Sequence, residues 1–360
     1  MQTFFCKTRV ITGKGSLQSL KELSISRLFV VTDPYFFENG KAMDLVKLIG
    51  PEAYGIFHEI TPDPTVDLVA KATAAAKELK PDTVLALGGG SAMDCAKGVT
   101  YFLEGSVQLV AVPTTSGSGS EVTSFSVLTH EGNKHPLVDE KLCPQVAILD
   151  SDLVSSLPKS LIADGGFDVI SHATESFVAT GANAITRALS KEAFRTTLAC
   201  LPASFGGDLQ ARERVHTAST MAGLAFTGAG LGLCHSLAHV LGGMFHVPHG
   251  RLNAILLPAV IHCNAHSAGG SYAELARSAE ISGASDTVAV RSLVNHLIRL
   301  RKQCNLPCNL REAGIDPRLL RQAAPQLIQQ ALKDPCTKTN PLPVADFMIR
   351  RILDEVSGSV

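Results

Sequence analysis

The 360-residue sequence contains no tryptophan, and aromatic residues make up only 5% of it. Proteins that bind single-stranded nucleic acid stack the bases on aromatic side chains, so this scarcity argues against such a surface. The formal net charge is −1, and no run of like charges occurs. Without a strong electrostatic field, attraction to nucleic acid or to an anionic membrane is not expected.

A secretory signal is also absent, because the first ten residues, MQTFFCKTRV, contain no long apolar run. The nine cysteines are scattered and odd in number, which indicates reduced thiols in the cytoplasm. Residues 221–247 carry no Asp, Glu, Lys or Arg and are long enough to cross a bilayer. Their glycines and histidines burden a lipid-facing helix, so we predict two buried helices joined near GAGLG and no membrane span.

Strand and helix signals alternate over the first 150 residues. Strands are predicted in RLFVVTD, DTVLALGGGS, VQLVAVP and QVAILD, helices in VDLVAKATAAAKELK and SAMDCAKGVTYFL, and a hairpin in VTSFSVLT with KHPLVD. This alternation indicates a parallel sheet covered by helices. Only helical periodicity follows, so we predict an α/β dinucleotide-binding domain at residues 1–154 and an all-helical metal-binding domain at 155–360. A cleft between two such domains is a favoured ligand site.

An unusual density of histidine marks LGLCHSLAHVLGGMFHVPHG at residues 231–250. His235 and His239 are four residues apart, which places both on one face of a helix, and His249 follows in a loop that leads into the next helix. A buried imidazole needs partners for both ring nitrogens, so several in an apolar segment favour a metal site over packing. Taken singly, each remains compatible with a core or surface histidine, and His246 is interpreted as covering a helix end.

A carboxylate with the same spacing occurs earlier, where Asp168 and His172 lie in GGFDVISHATE. One carboxylate and three imidazoles suit a borderline divalent ion such as Fe(II), Zn(II), Mn(II) or Co(II). Four protein ligands leave room for water or substrate on an ion that accepts more than four.

Two glycine-rich loops follow predicted strands. GGGS at 88–91 opens a helix, where free N–H groups favour a phosphate, and PTTSGSGSE at 113–121 offers hydroxyls and close backbone approach. Each loop alone is equally explained as a turn, but two at neighbouring strand ends favour a nucleotide, although no GxGxxG fingerprint is present. Asp33 ends a strand, where it can accept a ribose hydroxyl and disfavour NADP. A turn before Pro34 is the alternative.

These motifs together resemble the iron-containing (group III) alcohol dehydrogenases over essentially the whole chain. The resemblance is carried by GGGSAMD at 88–94, PTTSGSGSEVT at 113–123, Lys134 ahead of PQVAILD, GGFDVISHATE, HSLAHVLGGMFHVPHG, and TNP at 339–341. It implies the dehydroquinate synthase-like fold shared by that family. Two departures are the replacement of the commoner TGMDALT by GGFDVIS and the presence of Asp63 where several members have asparagine.

The resemblance also implies site residues. The implied metal ligands, for Fe(II) or alternatively Zn(II), are Asp168, His172, His235 and His249. The implied NAD(H) contacts are Asp33, Asp63, Gly89, Gly90, Ser91, Asp94, Thr114, Thr115, Ser118, Thr123 and Lys134. His239 falls where the family has a histidine beside the nicotinamide, and we expect it to relay protons.

Within the family, MQTFFCKTRVITGKGSLQSL, EITPDPT and AGLGLCHSLAH are most similar to the alcohol dehydrogenases of bacterial microcompartments. This similarity implies a homodimer that interconverts propanal or acetaldehyde with the primary alcohol while regenerating NAD. Its expected partners are a microcompartment shell or aldehyde-producing enzymes.

Two other classes of protein are considered. A non-redox lyase of the dehydroquinate synthase type would also use NAD and a metal, but it needs a strongly basic pocket for phosphate and carboxylate. A non-catalytic, metal-stabilised interaction protein would show no aldehyde-dependent oxidation of NADH.

Overall fold

The computed structural model describes residues 3–103, 105–130 and 133–358. It contains two compact units, one of residues 6–156 and one of residues 157–358 together with 3–5. The first is an α/β unit and the second is helical.

A parallel sheet forms the centre of the α/β unit. The strands are β1 (Arg9–Thr12), β2 (Arg27–Thr32), β3 (Ala53–Phe57), β4 (Thr83–Gly88), β5 (Gln108–Pro113), β6 (Phe125–His130), β7 (Asn133–Val138) and β8 (Val146–Leu149). Six of them pair in parallel in the order β1-β8-β5-β4-β2-β3, whereas β6 and β7 form an antiparallel hairpin. The predicted parallel sheet and hairpin are therefore confirmed, and β3 was missed.

Helices cover both faces of this sheet. They are α1 (Pro34–Glu38), α2 (Lys41–Ile49), α3 (Val66–Leu79) and α4 (Gly90–Phe102), with short 3-10 helices at Ser16–Glu22, Ser120–Val122, Glu140–Leu142 and Ser151–Val154. Along β2, Phe29 and Val31 join the apolar cluster beneath α3 and α4, whereas Leu28 and Val30 join the cluster beneath α2. A strand buried on both faces explains why RLFVVT is apolar almost throughout.

The second unit consists of helices around one apolar core. They are α5 (Lys159–Val178), α6 (Ala184–Gly206), α7 (Leu209–Ala229), α8 (Leu233–Phe245), α9 (His249–Ser278), α10 (Asp286–Gln303), α11 (Pro317–Lys333) and α12 (Asp346–Val356), and a 3-10 helix spans Pro335–Thr339. The predicted all-helical half is confirmed. The sequence analysis missed α11, which contains an internal proline, Pro325, a signal against a helix, although its buried residues Leu320, Leu327, Ile328 and Ala331 keep helical spacing.

The apolar segment 221–247 forms parts of α7 and α8, which meet at an angle of 106° across a short break. No single helix of the described residues is long and apolar enough to span a membrane. Gly230 at the break has φ +81°, and a side chain there would overlap Thr339. The turn near GAGLG therefore depends on glycine for both its conformation and its packing.

Candidate active site

Three helices of the second unit bring Asp168, His235 and His249 together. Asp168 lies in the middle of α5, His235 in the first turn of α8, and His249 is the first residue of α9. One ligand atom from each side chain lies within 4.8 Å of the other two. Nε2 of His249 is 3.5 Å, and Nε2 of His235 is 3.8 Å, from Oδ1 of Asp168. Three of the four predicted metal ligands thus share one centre.

Glu175 of α5 fixes the orientation of His235. Its buried carboxylate accepts hydrogen bonds from Nδ1 of His235 at 2.6 Å and from the backbone N–H groups of Gly232 at 3.0 Å and Cys234 at 2.7 Å. These backbone donors belong to the start of α8, where a carboxylate also complements the helix dipole. Because a carboxylate only accepts, Nδ1 carries a proton, and Nε2 is the ring nitrogen that faces Asp168 and His249.

The amide of Asn253 lies at the point that the three side chains share. Its Nδ2 is 2.9 Å from Oδ1 of Asp168, 3.3 Å from Nε2 of His235 and 3.1 Å from Nε2 of His249. An amide has only two hydrogens, yet three acceptor atoms converge on this one nitrogen. Such convergence of carboxylate and imidazole lone pairs fits a borderline divalent cation.

His172, the fourth predicted ligand, lies beside this group and not within it. Its ring stacks between His235, with ring centroids 4.5 Å apart, and Phe226, at 4.4 Å. Its ring nitrogens do not belong to the set of ligand atoms that lie within 4.8 Å of one another. Its assignment as a ligand stays a prediction.

The charges of the cluster favour a cation. Burial alone would raise the pKa of Asp168, but the adjacent rings of His172 and His249 hold it well below its ordinary value. Burial would lower the pKa of His235, yet interactions with Asp168 and Glu175 raise it to about 9. The buried carboxylates of Asp168 and Glu175 therefore stabilise positive charge here. A bound divalent ion would supply this charge in place of a proton on His235.

Close packing of α9 against α5 sets the position of His249. A Cβ atom on Gly250 would overlap the carbonyl oxygen of Asp164, so only glycine allows this approach. Arg251 then pairs with the carboxylate of Asp164 through two bonds of 3.2 and 3.0 Å. Asp164 lies one helical turn before Asp168, so the same contact aligns the two ligand-bearing helices.

His239 lies next to the cluster on α8. Its ring stacks on His249 with centroids 5.2 Å apart, and its Nδ1 is 3.0 Å from Oδ2 of Asp334. The imidazole is one-quarter exposed, which leaves it in contact with solvent. It is therefore placed to exchange a proton beside the cluster.

In the α/β unit, the two predicted phosphate loops meet. The N–H of Thr114 donates to the carbonyl of Gly88, which joins the ends of β4 and β5. A Cβ on Gly89 would lie 3.2 Å from the side chain of Thr115, and one on Gly90 would lie 3.5 Å from Ser118. Gly89 and Gly90 open α4, so a phosphate could approach free N–H groups without side-chain obstruction.

Asp33 lies at the end of β2, beside these glycines. Its Oδ1 accepts the N–H of Phe36 and caps α1, whereas Oδ2 lies 3.5 Å from the position of a Cβ on Gly88. The turn interpretation of Asp33 is therefore confirmed by Oδ1, whereas the ribose role of the other oxygen, which faces the loop, stays a prediction. Asp63 has a left-handed backbone and pairs with Lys134 at 2.6 Å. This pair anchors β7 to the segment before α3.

Asp94 and Thr123, two further predicted NAD(H) contacts, lie around Lys97, a buried lysine that the sequence analysis missed. Nζ of Lys97 donates to Thr123 at 2.7 Å, to Ser120 at 3.0 Å and to the carbonyl of Phe125 at 2.8 Å. Ser120 in turn approaches Asp94 at 3.4 Å. Burial lowers the pKa of Lys97 and raises that of Asp94. Lys97 thus fixes the second loop to α4, and Ser91 lies half-exposed in the first turn of the same helix.

Glu175, Asn253 and Asp334 were also missed. A signal was available for Glu175, since it is a carboxylate three residues after His172 with no Lys or Arg within four residues, and a buried carboxylate is costly unless partnered. Asn253 follows His249 by four residues, which is the spacing of one helical face. Nothing local to Asp334 connects it with His239, because the two lie far apart in the chain.

Comparison with known proteins accounts for both units. Residues 7–151 match the family described as iron-containing alcohol dehydrogenase, and residues 162–356 match the C-terminal part of the Fe-containing alcohol dehydrogenase family. The 1-propanol dehydrogenases of Citrobacter freundii and Salmonella typhimurium are each 39% identical over 99% of this chain and 100% of their own length. The iron-containing alcohol dehydrogenase of Thermococcus thioreducens has a TM-score of 0.92 at 30% identity, over 99% of this chain and 100% of that one. This chain therefore belongs to the iron-containing alcohol dehydrogenase family and is an alcohol dehydrogenase.

Proposed function

We propose that the chain is a metal-dependent, NAD(H)-linked dehydrogenase that interconverts short-chain aldehydes, such as propanal and acetaldehyde, with their primary alcohols. The observation that carries the proposal is the convergence of Asp168, His235 and His249 on one point. The high identity to 1-propanol dehydrogenases supports the substrate class.

Asp168, His235 and His249 would hold the ion, with His172 as the fourth ligand. Fe(II) is our first choice, and Zn(II) suits the same donors. When bound, such an ion acts as a Lewis acid that polarises an aldehyde oxygen or lowers the pKa of an alcohol. Glu175 accepts the Nδ1 proton of His235 and so orients Nε2 of the ring towards the ion, which is the role of a hydrogen-bonded partner behind a metal ligand.

The cofactor would lie on the two loops of the α/β unit, with its phosphates near Gly89, Gly90 and Ser118. NADH supplies the hydride of the reaction when it is bound. Asp33 would accept a ribose hydroxyl, and Lys97 would keep Thr123 and its loop in place. His239 would transfer the proton between solvent and the substrate oxygen, since its imidazole is partly exposed beside the cluster.

Family membership favours this activity over a non-redox lyase and over a non-catalytic interaction protein. The charges around the candidate metal site also argue against a lyase. The polar groups described there are carboxylates, an amide and imidazoles, and Arg251 is already paired with Asp164. A lyase acting on a phosphorylated carboxylate would need free basic groups there.

Metal analysis combined with an aldehyde series tests the proposal. Protein purified without oxygen should contain roughly one divalent ion per chain, as one set of ligands predicts, and should oxidise NADH when propanal or acetaldehyde is added. A chelated sample, with and without added Fe(II) or Zn(II), is the control. Metal-loaded protein that oxidises no NADH with any aldehyde of the series would rule out the proposed activity.

Replacing Asp33 with glycine should shift the cofactor preference towards NADPH. Removing a carboxylate that faces a 2′-phosphate should change the ratio of kcat/KM for NADPH over NADH by about tenfold, which corresponds to a change of about 1.4 kcal/mol. Glycine is tolerated at a helix N-cap, so folding should change little.

Asp33→Asn is the matched control for the cap, since it removes the charge and keeps the acceptor for Phe36. Both variants should shift the preference in the same direction. An unchanged ratio in both would remove Asp33 from the ribose role.

We also propose that the enzyme is a homodimer that works inside a bacterial microcompartment, where it regenerates NAD beside aldehyde-producing enzymes or the shell. The proposal is supported by the similarity of the N-terminal segment and of AGLGLCHSLAH to microcompartment members of the family. Light scattering of the purified protein tests the dimer, and imaging of a tagged chain tests the location.

A further inference from the structure

Asp334 connects the end of α11 to His239 of α8. Its Oδ1 accepts the N–H of Cys336 at 2.8 Å and the hydroxyl of Ser236 at 3.2 Å. Its Oδ2 lies 3.0 Å from Nδ1 of His239. Only 14% of the carboxylate side chain is exposed, so the interaction with the imidazole is shielded from water.

We propose that Asp334 is a positioning residue that fixes the tautomer and the ring orientation of His239. The inference rests on the proposed role of His239 in proton transfer. A carboxylate can only accept, so Nδ1 of His239 must carry its proton and Nε2 must be the nitrogen that exchanges one. Asp334 acts on the reaction only through His239.

The two oxygens of Asp334 have separate tasks. Oδ1 caps the 3-10 helix Pro335–Thr339 by accepting the N–H of Cys336, and Ser236 holds the same oxygen. Oδ2 is left for His239. The bond from Cys336 holds Oδ1 in place, with the Ser236 hydroxyl shared between this oxygen and the carbonyl of Gly232, so Oδ2 has a defined direction.

This division allows a substitution that separates positioning from capping. Asparagine caps helices about as well as aspartate, so Asp334→Asn should keep the bond to Cys336 through its amide oxygen. Its amide NH₂ would then face the N–H of His239, and two donors cannot bond. The imidazole must change tautomer or turn away.

The test compares Asp334→Asn with Asp208→Asn in the iron-loaded protein. Asp208 caps α7 by accepting the N–H groups of Gln210 and Ala211, and no hydrogen bond or ion pair described for its side chain involves a histidine. For Asp334→Asn we expect kcat for propanal reduction to fall by about 10- to 100-fold, the loss typical when the hydrogen-bonded partner behind a metal-bound histidine is removed. KM for NADH, iron content and melting temperature should stay unchanged.

Two further measurements identify the step affected. The solvent deuterium isotope effect on kcat should increase in Asp334→Asn, because proton transfer becomes slower than hydride transfer, and it should not increase in Asp208→Asn. His239→Gln combined with Asp334→Asn should lose no more activity than His239→Gln alone, since a residue that acts only through His239 has nothing left to act on.

The outcomes separate this inference from the proposed function. If His239→Gln retains full kcat, the proton-transfer role of His239 is wrong. If His239→Gln is impaired but Asp334→Asn is not, the positioning role is wrong. Loss of iron or a large drop in melting temperature in Asp334→Asn would show a structural role and also overturn the inference. Additive losses in the double variant would do the same.

Discussion

Replacing His249 with alanine is expected to eliminate tight metal binding and to reduce kcat by about 10³-fold or more. His249 is one of the three described side chains whose ligand atoms share the centre, and alanine offers no replacement donor. Loss of a catalytic Lewis acid removes several kcal/mol of transition-state stabilisation, and each 1.4 kcal/mol corresponds to a factor of ten in rate. The measurements are metal content after dialysis and propanal-dependent oxidation of NADH.

His246→Asn is the matched control for this substitution. His246 lies three residues earlier, is exposed, and ends α8 with a left-handed backbone that asparagine also adopts. It should retain its metal and its activity. If kcat of His249→Ala stays within about threefold of the unsubstituted enzyme, a change too small for the loss of a catalytic ion, the ligand set is wrong.

Replacing Gly250 with alanine should impair metal binding nearly as much as His249→Ala does, although residue 250 contributes no ligand atom. The new Cβ would overlap the backbone carbonyl of Asp164, and backbone on α5 cannot move aside as a flexible side chain can. The start of α9 must therefore shift away from α5, which carries His249 away from Asp168. We expect a destabilisation of about 1–3 kcal/mol, as for other overpacked sites, together with loss of metal affinity.

Gly269→Ala provides the comparison on the same helix, because nothing lies within 4 Å of a Cβ at that position. Alanine there should stabilise the helix by about 0.5–1 kcal/mol and leave the metal in place. Thermal unfolding and metal content measure both effects. A Gly250→Ala protein that binds metal with unchanged affinity would show that the contact with Asp164 does not set the position of His249.

The order of strands and helices could be predicted because the local apolar patterns of the sequence agree with the packing in the structure. RLFVVT and DTVLALG are apolar in a continuous run, as strands covered on both faces must be. AYGIF was missed because its exposure is mixed, and it lies at the edge of the sheet. SLQSLKE forms a 3-10 helix, which apolar spacing over two turns does not distinguish from an α-helix.

The candidate ligands could be proposed from the sequence, but the residues that position them could not. Asp168, His235 and His249 are titratable residues in apolar surroundings, which is a signal in the sequence itself. The role of Gly250 depends on how closely two helices approach, and the role of Asp334 depends on a contact between distant segments. Lys97 resembles an ordinary helix lysine until its burial is known. Such partners are set by tertiary packing, and a single sequence contains no local trace of it.

The candidate ligands come from three helices, α5 and the consecutive helices α8 and α9, and no two of Asp168, His235 and His249 share a helix. The ion therefore cannot nucleate folding, because its binding site does not exist until α5, α8 and α9 have already assembled. Its contribution is to trap the finished structure: an ion present at a hundred times its Kd, and bound only by folded chains, adds about 2.7 kcal/mol to their stability. Cellular iron supply would then govern how long the enzyme persists as well as how fast it turns over.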